Sequence, residues 1–344
     1  MQLVTFYPNR IVFTSPREKK VQPDPEHCFR DTAANLAYKA ELLKIKSANL
    51  RCKKSSVSLS KHATKLLRDS ISTMYMLSRP RTIEVKPKKF IWNYRCSVVT
   101  LKLPSDQIHS DTEIKSCLNL FFNNLRKVFG LKNYVWKAEL QKNENIHFHI
   151  VIDKFIHYSD LKYYWNLAIE SLGYVSRYSE KFRQMEWTDY AKYREAQDLN
   201  YGNKVHFGTY RNAFKAGNDT GWMEPNSVSV NNVRTDGQLA SYLSKYFAKP
   251  DNSNADESRI EEFGKVWARS RSISAIKYKN KFELAEIKSF ITSLLKSNPK
   301  AVKDMHFDYC RVIYLQFFKL KKVFRNFYFS MISANARMYN YSFP

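Results

Sequence analysis

Acidic side chains are scarce in this 344-residue sequence: 32 Asp and Glu stand against 57 Lys and Arg, a formal charge of +25. A protein with so few counter-charges seeks polyanions, either nucleic acid or an anionic membrane. Cysteine is also rare. Cys28, Cys52, Cys96, Cys117 and Cys310 are scattered and form no CxxC pair, which weighs against a structural zinc site. Their odd number and wide spacing read as reduced thiols and a cytoplasmic setting. No run of about 18 apolar residues occurs, so no helix is expected to span a membrane. The opening segment MQLVTFYPNRIVF lacks the long apolar core of a signal peptide. There is no GxxxxGK(S/T) loop, so no helicase domain of that class is expected, and no HExxH helix. No internal repeat is visible.

Hydrophobic residues make up 44% of the chain, enough for a buried core, and aromatics reach 15%, with 22 Tyr and 23 Phe. Aromatics interleaved with positive charge suit single-stranded nucleic acid, because bases stack on rings while Lys and Arg track phosphates. A basic RNA- or DNA-binding protein without catalytic activity shares that composition.

Three regions are expected. Residues 1–90 carry 19 basic and 7 acidic residues and read as a basic helical N-terminal extension. Asp31 can cap a helix through about Lys46, and Ser58 another over Leu59–Leu77. RPRTIEVKPKKF, punctuated by proline, reads as a linker ending near Phe90. Residues 91–275 form the second region. SVVTLKL at 97–103 reads as a strand, Asp111–Val128 as an amphipathic helix, and Asn133–Leu140 and Ile146–Asp153 as hairpin strands. Ser159 caps a further helix to about Leu172. This β-α-β-β-α order suits an α+β fold, a ferredoxin-like antiparallel sheet with helices on one side. Residues 174–226 show little periodicity and read as an insertion able to form a substrate-binding flap. Ser227–Val233 is a short strand and Asp236–Lys249 a helix ended by Pro250. Residues 276–344 read as a helical, basic and aromatic C-terminal region. Its tail suits a helix packed on the core, or an amphipathic helix on DNA or membrane.

The chemistry-bearing residues fall into two groups. His147 and His149 flank Phe148 on a strand, so both imidazoles project to one face. Glu139 lies eight residues earlier, on the preceding strand, and a short hairpin brings it beside them. Two imidazoles and one carboxylate make a mixed site for Mg²⁺ or Mn²⁺ with open positions. Zinc is a competing metal, and a solvated strand face without metal is the bland alternative. The second group is YLSKYFAK at 242–249. On a helix, Tyr242 and Tyr246 share a face, and so do Lys245 and Lys249. The tyrosine spacing recurs at Tyr174 and Tyr178 and carries no weight alone. For the lysines, a solvated basic face is an equal alternative. Trp136, Trp165 and Trp187 read as core or stacking residues, and His157 as a surface residue. Arg177, Lys181 and Arg183 read as phosphate contacts or a solvated face.

Taken together, HFH at 147–149, Glu139 in WKAEL and the Tyr-x-x-Lys-Tyr pattern at 242–246 resemble the HUH endonucleases. The likeness is to rolling-circle replication initiators of microviruses, related phages and plasmids. SVVTLKL looks like that family's first motif, and FGKVWARSR at 263–271 is similar to a segment that follows the tyrosine helix in some phage initiators. The resemblance covers roughly residues 90–275. It implies a divalent metal, Mg²⁺ or Mn²⁺, on Glu139, His147 and His149. It implies Tyr242 and Tyr246 as nucleophiles assisted by Lys245 or Lys249, with single-stranded origin DNA as substrate. A 5′-phosphotyrosine and a free 3′-OH are the implied products, and a host helicase and polymerase the implied partners. A related HUH relaxase or transposase is the alternative within the same chemistry.

Overall fold

The computed structural model describes residues 3–7, 10–14, 59–141, 143–200, 202–246, 265–276, 282–307, 310–316 and 319–330. The described elements form two compact units. One lies within residues 59–276. The other combines strands β1 (Leu3–Tyr7) and β2 (Arg10–Thr14) with residues 282–330. The helix expected over residues 31–46 lies outside the described residues.

The first unit opens with α1 (Lys61–Leu77). Its cap is Ser60 rather than Ser58, because the Ser60 hydroxyl is the one that accepts from the Ala63 N–H, at 3.1 Å. RPRTIEVKPKKF is not a linker but most of a hairpin, β3 (Arg81–Lys86) and β4 (Lys89–Tyr94). Its prolines punctuate without breaking. Pro87 takes the first central position of the turn, and Lys88, at φ 62°, supplies the left-handed second position.

The chain then lays down β5 (Cys96–Leu101), α2 (Asp111–Phe129), β6 (Tyr134–Leu140) and β7 (Ile146–Ile152), followed by α3 (Tyr158–Glu170). Three more helices follow, α4 (Tyr174–Arg183), α5 (Trp187–Asn200) and α6 (Phe207–Asp219). The unit closes with β8 (Val228–Val233), α7 (Asp236–Tyr246), β9 (Trp267–Arg269) and α8 (Arg271–Ala275). Five strands form one sheet in the order β8-β5-β7-β6-β9, and every neighbouring pair is antiparallel. The order of its first four strands, counted along the chain, is 4-1-3-2. This is the ferredoxin-like arrangement expected from the β-α-β-β-α rhythm, with β9 added at one edge.

Alternation decides the two faces. Leu101, Ala138, Phe148, Ile150 and Ile152 join the apolar faces of α2 and α3 in one core. Each of the larger ones, Leu101, Phe148, Ile150 and Ile152, contributes about 1.5–3 kcal/mol of burial free energy. A capping box starts α2, with Ser110 bonded to the Glu113 N–H and Glu113 reaching back to Ser110. Gly130, at φ 63°, ends it. The cap of α3 is His157 rather than Ser159: its Nδ1 accepts from the Ser159 N–H at 3.4 Å. On the opposite face of the sheet, α1 packs against β6 and β9, and Arg269 donates to Ser70.

Residues 174–226 are more regular than their sequence suggests. Helices α4–α6 enclose a core of Phe182, Tyr190, Tyr210 and Trp222. Aromatic residues with polar tips carry this core, which is why a search for apolar periodicity passes over it. Gly217 is required there, because a Cβ would lie 2.5 Å from the Trp222 ring.

In the second unit, β10 (Phe282–Glu283), α9 (Leu284–Ser297), β11 (Val302–Phe307), β12 (Cys310–Leu315) and α10 (Lys322–Ser330) join the N-terminal hairpin. The sheet order is β10-β1-β2-β12-β11. The expected helical character of the two ends is met by α1, α9 and α10, and both ends also supply strands. Phe290 stacks on Phe327 at 3.9 Å between ring centroids, over the buried Phe6.

Candidate metal centre

The turn between β6 and β7 is tight. Gln141 N–H donates to Asn145 C=O at 2.8 Å, and Glu144 N–H to Gln141 C=O at 2.9 Å. This turn sets the register: Glu139 lies opposite His147, and Lys137 opposite His149. Across the other edge of β7, Thr100 lies opposite His149. The three expected ligands therefore meet on the face away from α2 and α3.

Their ligand atoms all lie within 4.8 Å of one another. His147 Nε2 is 2.8 Å from His149 Nε2, and Glu139 Oε2 is 3.3 Å from His149 Nε2 and 3.7 Å from His147 Nε2. Around a small divalent cation with bonds of about 2.1 Å, neighbouring ligand atoms lie roughly 3.0–3.4 Å apart. The three separations bracket that spacing, and the mixed imidazole–carboxylate donors fit Mg²⁺, Mn²⁺ or zinc. The buried Nδ1 of His147 has no hydrogen-bond partner.

Neighbouring side chains orient this cluster. Thr100 Oγ1 is 3.1 Å from His149 Nδ1, which directs the opposite ring nitrogen toward Glu139. Lys137, almost wholly buried, places Nζ 2.5 Å from Glu139 Oε1 and leaves Oε2 to the imidazoles. Burial works to raise the Glu139 carboxyl, but the hydrogen bond with His149 and the charge of Lys137 outweigh it and hold it at about 2. Burial, joined by His149 and opposed by Glu139, lowers His147 to about 4. At neutral pH the cluster therefore presents an ionised carboxylate and a neutral His147, the forms that bind metal.

The register also aligns Ser229, Thr100, His149, Lys137 and Trp267 in one row across all five strands, on the face of the cluster. Of these, sequence reasoning missed Lys137 and Thr100. Lys137 had a legible signal, two residues before Glu139 and so on the same strand face. Thr100 did not, because its partnership depends on the pairing of β5 with β7. The loop after β5 is tied to the β6–β7 turn. Gln107 N–H donates to Asn145 Oδ1 at 2.8 Å, and Ile146 N–H to Gln107 Oε1 at 2.9 Å.

Helix α7 begins three residues after β8 ends. Thr235 and Gln238 start it with reciprocal side-chain bonds to each other's backbone N–H groups. Tyr242 is half-buried on it. Lys249 and the side chains of Lys245 and Tyr246 lie outside the described residues. The competing pair separates clearly from this one: Tyr174 is buried, and its hydroxyl accepts from the Ile108 and His109 N–H groups. Trp136 and Trp165 are core residues, and Trp187 packs on the core of the inserted helices. Arg183 donates to Gly221 C=O at 3.4 Å, whereas Arg177 is exposed.

Residues 96–251 match the family model of the ORF2-type replication-associated proteins. This stretch runs from β5 through the Glu139, His147 and His149 cluster to α7 and the segment just after it. No curated protein and no solved structure matches the chain.

Proposed function

Starting from the likeness of residues 96–251 to replication-associated proteins, we propose that this chain is a rolling-circle replication initiator of the HUH type, which nicks single-stranded origin DNA. The observation that carries this reading is the convergence of Glu139, His147 and His149 on the sheet face not used by α2 and α3, inside the matched segment. Mg²⁺ or Mn²⁺ held by these three residues would supply Lewis acidity at the scissile phosphate. Lys137 and Thr100 fix the ligand orientations before any metal arrives, and low protonation of Glu139 and His147 keeps their lone pairs available.

The nucleophile is a phenol of Tyr242 or Tyr246. Its oxygen forms a bond to phosphorus as the bond from phosphorus to the 3′ oxygen breaks. The phenolic proton is lost to solvent, the 3′ oxygen takes up a proton, and a 5′-phosphotyrosine and a free 3′-OH remain. The energy of the original diester is kept in the new one. Lys245 or Lys249 offsets phenolate or transition-state charge, since a free phenol has a pKa of about 10. The distances from α7 are compatible. From Asp236 to Tyr242 the helix rises about 9 Å, and to Tyr246 about 15 Å. From Cys96 to Thr100, β5 spans about 13 Å. A helix of this length, if it runs along the sheet from the end of β8, would reach the level of His149.

The basic residues along 1–90 contribute salt-sensitive DNA affinity in this reading, and no helix among the described residues is long and apolar enough to cross a membrane. A sheet that reads RNA by stacking needs exposed aromatics on its central strands. On this face β5 and β7 instead present Val98, Thr100, His147, His149 and Val151. The test is incubation with circular single-stranded DNA and Mn²⁺. A covalent protein–DNA product that forms only with metal supports the proposal, and binding without any adduct leaves a non-catalytic DNA-binding protein.

A further inference from the structure

A cleft of about 730 Å³ lies between the inserted helices and the end of the sheet that carries His147. Its wall from α4 and α5 presents Tyr178, Tyr190, Tyr193, Lys181 and Arg194. Its opposite wall comes from the loop after β5 and the β6–β7 turn, with Lys102, Ser105, Asn143 and Asn145. Two atoms in this lining are anomalous. Ser105 Oγ and Arg194 Nε are buried and have no hydrogen-bond partner. Both atoms lie beneath the cleft surface, and the groups open to a ligand are the aromatic and cationic side chains around them. Lys181 Nζ lies 4.3 Å from the centre of the Tyr193 ring, which places a cation beside an aromatic wall.

We propose that this cleft takes one unpaired nucleotide of the substrate strand, beside the scissile phosphate. The base lies against the tyrosine wall, where ring stacking and the amides of Asn143 and Gln197 can hold it. The phosphate meets Lys181 and Arg194. The proposal rests on the nicking reading for the identity of the strand: Lys102 of the lining lies beside His147, while Leu140, next to Glu139, faces the other side of the sheet, so the strand passes over the end of the sheet from cluster to cleft. A strand of DNA fits better than a free nucleoside triphosphate. The latter brings a metal ion that wants carboxylates, and Asp106 is the single acid in the lining. The volume suits a nucleotide, within the roughly 300–1,000 Å³ of small-ligand pockets. The substrate-binding role expected of residues 174–226 thereby falls to named residues of α4 and α5.

Photo-cross-linking tests the proposal without knowledge of the origin. The full chain, with metal chelated, is bound to a single strand carrying iodouracil in place of thymine, irradiated, and mapped by peptide mass spectrometry. Cross-links are expected on the half-buried Tyr178 or Tyr193. Tyr193→Leu, which keeps apolar packing, should weaken strand binding roughly 5- to 150-fold, and the exposed Lys181→Gln should weaken it without disturbing the fold. Cross-links confined to other segments would overturn the proposal, as would unchanged affinity in Lys181→Gln and an Arg194→Gln partner variant. So would displacement of the strand by free deoxynucleoside monophosphate alone. His147→Ala should retain the cross-links. Cross-links without any metal-dependent adduct point to failure of the nicking reading, and an adduct without these cross-links points to failure of this cleft.

Discussion

Lys137 Nζ lies 2.5 Å from Glu139 Oε1, although the lysine side chain is 1% exposed and the glutamate 17%. Two residues apart on β6, they share a strand face, and the pair places a buried positive charge directly beside the Glu139, His147 and His149 cluster. A buried ammonium is held there by the carboxylate it orients.

Lys137→Met keeps the length of the side chain and removes the charge. Glu139 then loses the partner that fixes Oε1, and its carboxyl rises from about 2 toward its ordinary value. Metal affinity should fall about 10- to 100-fold, the usual effect of removing a group that orients a ligand. Titration with Mn²⁺ measures this, and thermal unfolding of the metal-free variant separates lost affinity from lost fold. Unchanged affinity would confine Lys137 to a structural role.

Acid should destabilise the metal-free protein in two windows. The folded pKa of His147, about 4, lies below its unfolded value near 6.5. The unfolded state therefore binds the extra proton between those values, and stability falls as pH drops from 6.5 to 4. Glu139 has a folded pKa of about 2 against about 4.5 unfolded. Its contribution is complete above pH 4.5 and is lost as pH falls through 2. Each window amounts to a few kcal/mol at most, about 1.4 kcal/mol for every tenfold change in proton affinity. Denaturant melts against pH should show His147→Gln flattening the upper window and Glu139→Gln the lower one.

His147→Ala combined with His149→Ala should abolish nicking and leave salt-sensitive DNA binding largely intact, because charge elsewhere supplies the affinity. Gel-shift and nicking assays on the same preparation read both. Normal nicking by the double variant would remove the metal cluster from the mechanism.

The two tyrosines predict alternation. In the proposed reading, rolling-circle replication needs a second cleavage while the first 5′ end is still attached, and the i, i+4 spacing of the two tyrosines in sequence would supply a second phenol. Each of Tyr242→Phe and Tyr246→Phe should still form some covalent adduct on an oligonucleotide, and only the double variant none. If either single change eliminates every adduct, the proposed reaction uses one tyrosine.

Ile11→Ala should cost about 2–5 kcal/mol. Ile11 is wholly buried on β2, opposite Phe6 of β1 and Ile313 of β12. The same placement makes deletion of residues 1–90 a poor test of their DNA binding, since it also takes β2 from the middle of a sheet. Neutralising their lysines in groups asks the question without that loss, and the salt dependence of binding should flatten in proportion to the charges removed.

Local sequence determined a good part of this protein. Period-two alternation over 146–152, helical periodicity over 111–129 and a short turn between 140 and 146 suffice to place Glu139 beside His147 and His149, because a hairpin brings together residues already close along the chain. The order of elements likewise specified the ferredoxin-like sheet. Tertiary structure alone decided what lies far apart in sequence. Thr100 meets His149 only because β5 pairs with β7, and Trp267 joins the row only because β9 adds to the edge beside β6. Strand β2 joins β12 across some 300 residues, a pairing for which no local pattern encodes a partner. The aromatic core of α4–α6 was hidden for a different reason. Tyrosine is legible in sequence as surface, core or stacking platform, and only packing against Trp222 and Phe182 decides among them.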